Sequence, residues 1–357
     1  MEKCLFNNGQ QNGGGVMLDG RYLDKRYLTK YDLSVELFES FDLKVNDIMP
    51  IRNVFILSTN KGDKILKRID YSLDNLNFIN KAVKYIKKSF DRILDFSVTK
   101  DKEIYIEWKK EIYCVMDLVP GRECDFCNPI DLKIASQGLG ELHKASQGFQ
   151  SCEANKNKAG ETIESFERKL QEMEFFKSLA NMHEYKSDFD KIFLKNVQQH
   201  VGEMKESVNI LKASSYTELC KEGDKIVLCH HDLAYHNILI NDEEAYFVDF
   251  DYSIIDLKVH DLCNFIRKAI KNFAFDIDKA ASILADYETK NSIDKRELEV
   301  LYGMLYFPED FYSISRDYYT RRKDWEEEVF VDRLIKKVSY MEDRCEFLQE
   351  FREKLLK

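Results

Sequence analysis

Hydrophobic positions in the first third of the chain fall in short runs that alternate with polar ones, the period-two pattern of half-buried strands. Four runs stand out: Val54-Phe-Ile-Leu57, Lys64-Ile-Leu-Lys-Arg-Ile69, Ile104-Tyr-Ile-Glu-Trp108 and Ile112-Tyr-Cys-Val-Met-Asp-Leu-Val119. The polar turns Asn60-Lys-Gly-Asp63 and Trp108-Lys-Lys-Glu111 predict hairpins of an antiparallel sheet. A short helix from about Asp32 precedes the strands, with Leu33, Val35, Leu37, Phe38 and Phe41 along it. A second helix interrupts them, because Leu73, Leu76, Phe78, Ile79, Val83 and Ile86 recur near the 3.6-residue period, with Ser72 or Asp74 placed at its start. After Val119-Pro-Gly121 the period lengthens to that of helices, beginning with Ile130 to Ala145. A strand-rich island of Ile226-Val-Leu228, Ile238-Leu-Ile240 and Tyr246-Phe-Val-Asp-Phe250 follows, and helical patterns then run to Lys357.

This order predicts an α+β protein with a boundary at Val119 to Arg122. Residues 1–27 hold Asn7-Asn-Gly-Gln-Gln-Asn-Gly-Gly-Gly15, too little apolar surface for a core, and are expected to form a flexible tail. Residues 28–119 form the strand-bearing part and 120–357 the helical part. No proline occurs between Pro129 and Pro308, which favours helix over that interval.

Composition narrows the class. With 54 basic and 64 acidic residues the net charge is −10, so no nucleic-acid partner is expected. Hydrophobic residues at 44% are ample for a core, yet no run reaches the length of a membrane span, and neither a secretory leader nor membrane insertion is expected. The protein is expected to be soluble and cytoplasmic when synthesised. Nine cysteines, an odd number, fit a reducing compartment. Cys124 and Cys127 form a C-x-x-C that lacks the second half of a zinc site.

The chemistry concentrates in the island. His230-His-Asp-Leu-Ala-Tyr-His-Asn237 is followed by Asp249 at the end of an apolar strand. Mg²⁺ prefers hard oxygen ligands and accepts phosphates beside protein groups, so Asn237 and Asp249 fit a phosphoryl-transfer metal pair. Asp232 is placed to take a hydroxyl proton, and His230 to hold the loop by its ring. Read singly, Asp232 is an ordinary turn residue, and His230, His231 and His236 are an alternative zinc set. Lys67 shares a strand face with Ile65 and Ile69; turned inward it needs an anion, and turned outward it is a solvated charge. Asp74 is the nearest acidic residue of the following helix.

Taken together, Ile65-Leu-Lys67, Val115-Met-Asp-Leu-Val119, His230-x-Asp232-x-x-x-x-Asn237 and Asp249 resemble the aminoglycoside phosphotransferase and choline kinase superfamily. Val248-Asp-Phe-Asp-Tyr252, His260-Asp-Leu262 and Tyr306-Phe-Pro-Glu-Asp-Phe-Tyr312 narrow the resemblance to the CotS family of spore-coat proteins. The resemblance covers about Tyr31 to the C-terminus. It implies a bilobal protein-kinase-like fold with a small antiparallel-sheet N-lobe and a large, mainly helical C-lobe. It implies ATP and Mg²⁺ as cofactors, Asp232 as catalytic base supported by His230, and Asn237 and Asp249 as metal ligands. Lys67 would contact the phosphates, Asp74 would orient it, and the backbone of Asp117, Leu118 and Val119 would bind adenine. Asp261 matches a residue that supports the catalytic loop.

Two departures stand out: Asp74 where the superfamily has Glu, and no glycine between Asn46 and Asn60, where a phosphate-covering loop belongs. His231 replaces a usual Gly. The acceptor, a sugar, amino alcohol or coat-glycan precursor, is expected beside Asp251, Phe311, Tyr312 and Arg316, although the aromatic stripe around Phe311 is equally a packing surface. Spore-coat proteins are the expected partners and the coat the expected destination. The competing reading is a catalytically inactive kinase-like component of the spore coat.

Overall fold

A computed structural model describes residues 33–52, 54–151, 153–271 and 275–357. The expected tail at 1–27 lies outside the described residues. Contacts divide the chain into two units. One takes the described residues up to Asp70 together with Asp95–Leu118, and the other takes Tyr71–Leu94 and Val119–Lys357.

The smaller unit is a five-stranded antiparallel sheet preceded by helix α1 (Val35–Ser40). Its strands are β1 (Val45–Ile51), β2 (Val54–Thr59), β3 (Gly62–Ile69), β4 (Ile106–Trp108) and β5 (Glu111–Asp117), in the order β1-β2-β3-β5-β4. Both expected hairpins form. Lys109 and Lys110 at the β4–β5 tip both take positive φ, 51° and 69°, as a two-residue type I′ turn requires. Strand β1 was not apparent from the pattern, because Asn46, Asp47 and Pro50 break the alternation; it lies at the sheet edge, where proline removes no ladder bond. The glycine-free stretch 46–60 is thus the β1–β2 hairpin. Leu66 is fully buried with Leu37, Phe38, Leu57 and Val115 in the core under α1. That settles the facing of β3: Lys67, half-buried, lies on the face opposite Leu66 and pairs in register with Cys114.

The larger unit is mainly helical. Helix α2 (Leu73–Ile86) starts at Ser72, whose Oγ accepts from the Asn75 amide at 3.3 Å. Strand β6 (Arg122–Glu123) leads to α3 (Pro129–Ser146), with Asn128 capping and Pro129 in the first turn. Gly138 on α3 lies so close to β9 (Glu244–Phe247) that a Cβ there would meet the Ala245 methyl at 2.7 Å. The helices α4 (Thr162–Met182) and α5 (Asp188–Ala213) pack together, followed by the short α6 (Tyr216–Leu219). Strand β7 (Ile226–Cys229) pairs with β10 (Ile254–Leu257), while β8 (Ile238–Asn241) lies between β6 and β9. The chain ends in α7 (Lys258–Ile270), α8 (Ile277–Glu288), α9 (Lys295–Tyr306), α10 (Glu309–Tyr319), α11 (Glu327–Ser339) and α12 (Met341–Leu355). No helix among the described residues is long and apolar enough to cross a membrane.

Candidate active site

Strand β7 delivers His230 into the core, where its side chain is fully buried. Nε2 lies 2.9 Å from the Val248 carbonyl, and Nδ1 accepts the Asp232 amide at 3.3 Å. These two bonds assign the neutral tautomer with the proton on Nε2. The ring therefore ties the loop to the segment entering Asp249. Both its nitrogens are occupied, which removes the three-histidine zinc reading. Nor does any cluster of three His, Cys, Asp or Glu fit to hold a metal appear among the described residues.

Asp261, fully buried on α7, holds the loop from beneath. Its Oδ2 accepts the His230 amide at 2.5 Å, its Oδ1 accepts the His231 amide at 2.8 Å, and His143 Nε2 lies 3.2 Å away. Two successive amides thus reach one carboxylate, and His231, the second of them, takes φ 69°, in the left-handed region. This is why glycine is usual there; an L side chain in that region costs about 1–2 kcal/mol. Burial pushes the Asp261 carboxyl up, but His143 and the loop amides outweigh it, so the group stays below the ordinary carboxylate range.

Asp232 and Asn237 meet directly. Asn237 Nδ2 donates to the Asp232 carbonyl at 2.8 Å and to Asp232 Oδ2 at 3.0 Å. With its amide nitrogen so engaged, Asn237 keeps Oδ1, a hard oxygen, for a cation. The β8–β9 pairing sets Ile238 opposite Phe247, and the Val248 amide donates to the Asn237 carbonyl at 3.0 Å, so Asn237 and the approach to Asp249 share one end of that hairpin. Asn237 and Asp249 by themselves would be too few for a preformed Mg²⁺ cage and would suit only a cation that arrives with phosphates. Asp249 has φ 67°, and the neighbouring Asp251 accepts the Tyr71 hydroxyl at 3.0 Å.

Lys268, absent from the sequence-based site, forms an ion pair with Asp232 Oδ1. Burial raises the Asp232 carboxyl, but the Lys268 bond and charge hold it below its usual value. A signal existed: Lys268 stands seven residues after Asp261, two turns along the same face of α7, so a helix that props the start of the loop also reaches Asp232.

In the smaller unit, the Asp117 and Leu118 amides donate to the Asp95 and Asp63 carbonyls at 3.0 and 3.2 Å, and the Asp117 carboxylate pairs with Lys64. Asp74 is exposed in the first turn of α2 and makes no ion pair among the described residues. Of the residues expected around the acceptor, Phe311 stacks on His200 with ring centroids 3.7 Å apart and lines a cavity with it, and the Tyr312 hydroxyl donates to Glu172 at 2.6 Å. Arg316 lies 3.2 Å from Asp317. Cys124 is buried, its thiol pushed up to about 12 by burial, whereas Cys127 is exposed.

His231 and His260 face each other with ring centroids 5.0 Å apart. Burial, reinforced by His260, lowers His231 to about 4, so it stays neutral in the fold while the unfolded chain protonates near 6.5. As pH falls from about 6.5 to 4 the unfolded chain binds the extra proton, and this group removes up to about 3 kcal/mol of stability. His260 acts on the other side. Burial works against its charge but Asp256, 2.7 Å away, outweighs it and raises the group, so its contribution is complete below about 6.5 and declines above. Urea midpoints at pH 7, 5.5 and 4.5 are expected to fall less steeply in His231→Gln than in the parent; equal slopes would assign the acid loss to other groups.

The family profile described as "Spore coat putative kinase YutH" matches residues 34–351. The chain belongs to this family. The YutH-family chain is 25% identical over 308 residues to spore coat protein S of Bacillus subtilis (strain 168), covering 85% of this chain and 87% of that protein. It is 19% identical over 239 residues to the endospore coat-associated protein YutH of the same organism, covering 66% and 67%. Among solved structures it is similar to an aminoglycoside phosphotransferase from Alicyclobacillus acidocaldarius, with TM-score 0.80, 17% identity and coverage of 90% of this chain and 96% of that one. An ethanolamine kinase from Plasmodium vivax gives TM-score 0.54 at 14% identity, covering 92% and 89%. The resemblance read from the residues, to spore-coat proteins within a kinase-like phosphotransferase superfamily, therefore stands, and the α+β fold of this YutH-family chain is the protein-kinase-like one.

Proposed function

We propose that the chain is an ATP- and Mg²⁺-dependent phosphotransferase that acts on a hydroxyl of a small molecule and works in association with the spore coat. The observation that carries this reading is the Asp232–Asn237 contact, in a loop fixed by Asp261 and His230 beside the approach to Asp249. Asp232 positions the acceptor hydroxyl and takes its proton, as a carboxylate held ionised can do. Asn237 Oδ1 and Asp249 hold the cation, and Lys67 contacts the nucleotide phosphates with Asp74 as its orienting partner. Bound Mg²⁺ supplies neutralisation of charge on the phosphoryl oxygens. The nucleotide base takes backbone groups of Asp117, Leu118 and Val119; since the first two amides are already bonded, the Val119 amide and the carbonyls are the groups left to it. Residues 28–119 serve the nucleotide and 120–357 the acceptor in this reading. A spectinomycin phosphotransferase of similar fold, solved with ADP and spectinomycin, supports a nucleotide ligand, and the curated relatives support the spore coat as destination.

A second reading, a catalytically inactive kinase-like component of the coat, is favoured by one observation: both Asp232 carboxylate oxygens are engaged. Calorimetric titration of ATP with and without Mg²⁺ decides between them. Metal-dependent binding that weakens at least about tenfold in Asp249→Asn is expected, from loss of a charged ligand. A parent protein that binds no nucleotide leaves the coat-component reading.

A further inference from the structure

Helix α7 ends in Arg267-Lys268-Ala-Ile270 with Lys271 as its C-cap, which sets like charges at i,i+3 and i,i+4, an arrangement that repels along a helix. Basic residues at a helix C-terminus answer the macrodipole, which accounts for exposed charge. Lys271 is half-buried instead, on the wall of a cavity of about 210 Å³ that also carries Arg267, Lys268, Lys337 and Arg344. Against these five cations the wall has two carboxylates, Glu309 and Asp310.

The carboxylates are already matched. Asp310 pairs with Lys337 at 2.9 Å, Glu309 with Lys169 at 2.8 Å, and Arg344 reaches away to Glu203 at 2.7 Å. Among the described residues Arg267 and Lys271 make no ion pair; Arg267 donates to the Met304 and Phe307 carbonyls. Burial pulls the Lys271 ammonium below its usual range; Asp310 opposes this, while Lys337 and Lys268 add like charge. A half-buried ammonium among cations is costly unless an anion completes the set. An adjoining cavity of about 440 Å³ shares Asn264, Arg267 and Glu309 with the first and has His231 on its wall, room for the body of a small ligand next to the catalytic loop.

Lys268 joins this cavity to the candidate catalytic base, since its ammonium pairs with Asp232 Oδ1 while Asn237 covers Oδ2. We propose that these cavities take an anionic acceptor, a small hydroxylated molecule whose carboxylate or phosphate is held by Arg267, Lys268 and Lys271. The anion draws Lys268 off Oδ1 and frees that oxygen for the acceptor hydroxyl. The hydroxyl proton then passes to Asp232, its oxygen bonds the γ-phosphorus of ATP, and the bond from that phosphorus to the bridging oxygen breaks, leaving ADP. This transfer step rests on the phosphotransferase reading; the anion site does not.

Calorimetry on the full chain at low salt, without nucleotide, tests the site with glucuronate, glucose 6-phosphate, glucose and kanamycin. At least one anionic sugar is expected to bind at least about tenfold more tightly than glucose or kanamycin, and which one binds separates a carboxylate from a phosphate ligand. Lys271→Gln is expected to erase the preference and Lys271→Arg to restore it, while Asp232→Asn keeps it. No anion binding in the parent, or an anion preference unchanged in Lys271→Gln, overturns the site. Phosphoryl transfer from labelled ATP to the same four compounds distinguishes the two readings. Selective anion binding without transfer to any compound leaves the anion site and removes the enzyme. Transfer to glucose or kanamycin without anion preference does the reverse.

Discussion

Asp232→Asn is expected to lower phosphoryl transfer by two to four orders of magnitude, the usual range for loss of a positioned general base, roughly 10²–10⁴. The amide keeps the shape of the side chain but cannot accept the proton, and it offers one acceptor oxygen where the carboxylate serves both Lys268 and Asn237. Because the proposed cation ligands are Asn237 and Asp249, the nucleotide dissociation constant should change by no more than about threefold. Single-turnover transfer from labelled ATP, beside calorimetric titration of nucleotide, measures both. Binding and transfer lost in equal proportion would make Asp232 a structural or metal-binding residue and not the base.

The largest loss of stability is expected from Asp261→Ala, about 3–5 kcal/mol, the range for removing one partner of a buried charged network. The carboxylate accepts from His230 and His231 amides and faces His143, whose other nitrogen lies 2.8 Å from the Tyr287 hydroxyl. Truncation leaves buried donors without an acceptor and frees the left-handed turn at His231. Asp261→Asn retains one acceptor oxygen and should lose less. Urea denaturation followed by far-ultraviolet circular dichroism reads the difference; a cost below about 1 kcal/mol for Asp261→Ala would mean that water enters and takes over the acceptor role.

Much of this site was legible because its parts are local. The spacing from His230 to Asn237 lies within one loop, and an Asp ending an apolar strand stands out by itself. The β3 lysine was legible as a position but not as a direction, since period-two alternation gives two faces and only the burial of Leu66 under α1 chooses between them. Strand β1 escaped because its side chains are partly exposed at an edge, and β10 because four residues are too few to carry a period. The aromatic stripe of α10 had two readings from sequence; Phe311 stacks on His200 and Tyr318 on Phe189 at 3.8 Å, while Phe311 and His200 also line the cavity of about 210 Å³, so both readings hold along one helix. Lys268 is the instructive omission. It stands 36 residues from its partner, and such a pairing becomes visible only when Asp261 is recognised as the point that fixes α7 to the loop.

The turns and edges of the small sheets have a consequence for how copies of this chain meet one another. An open strand edge is a template for another molecule's backbone. In the five-stranded sheet one edge, β1, carries Pro50, and the other, β4, is three residues long and runs into Lys109 and Lys110. The β9 edge begins at Glu244, directly after Asp242 and Glu243 at the hairpin tip, both with positive φ. Each of these three edges is thus interrupted or charged where a neighbouring strand would add. Crowding many copies together, as in a layered assembly, would bring like charges and a missing amide into register before any continuous ladder could form, so close packing need not turn into fibre growth.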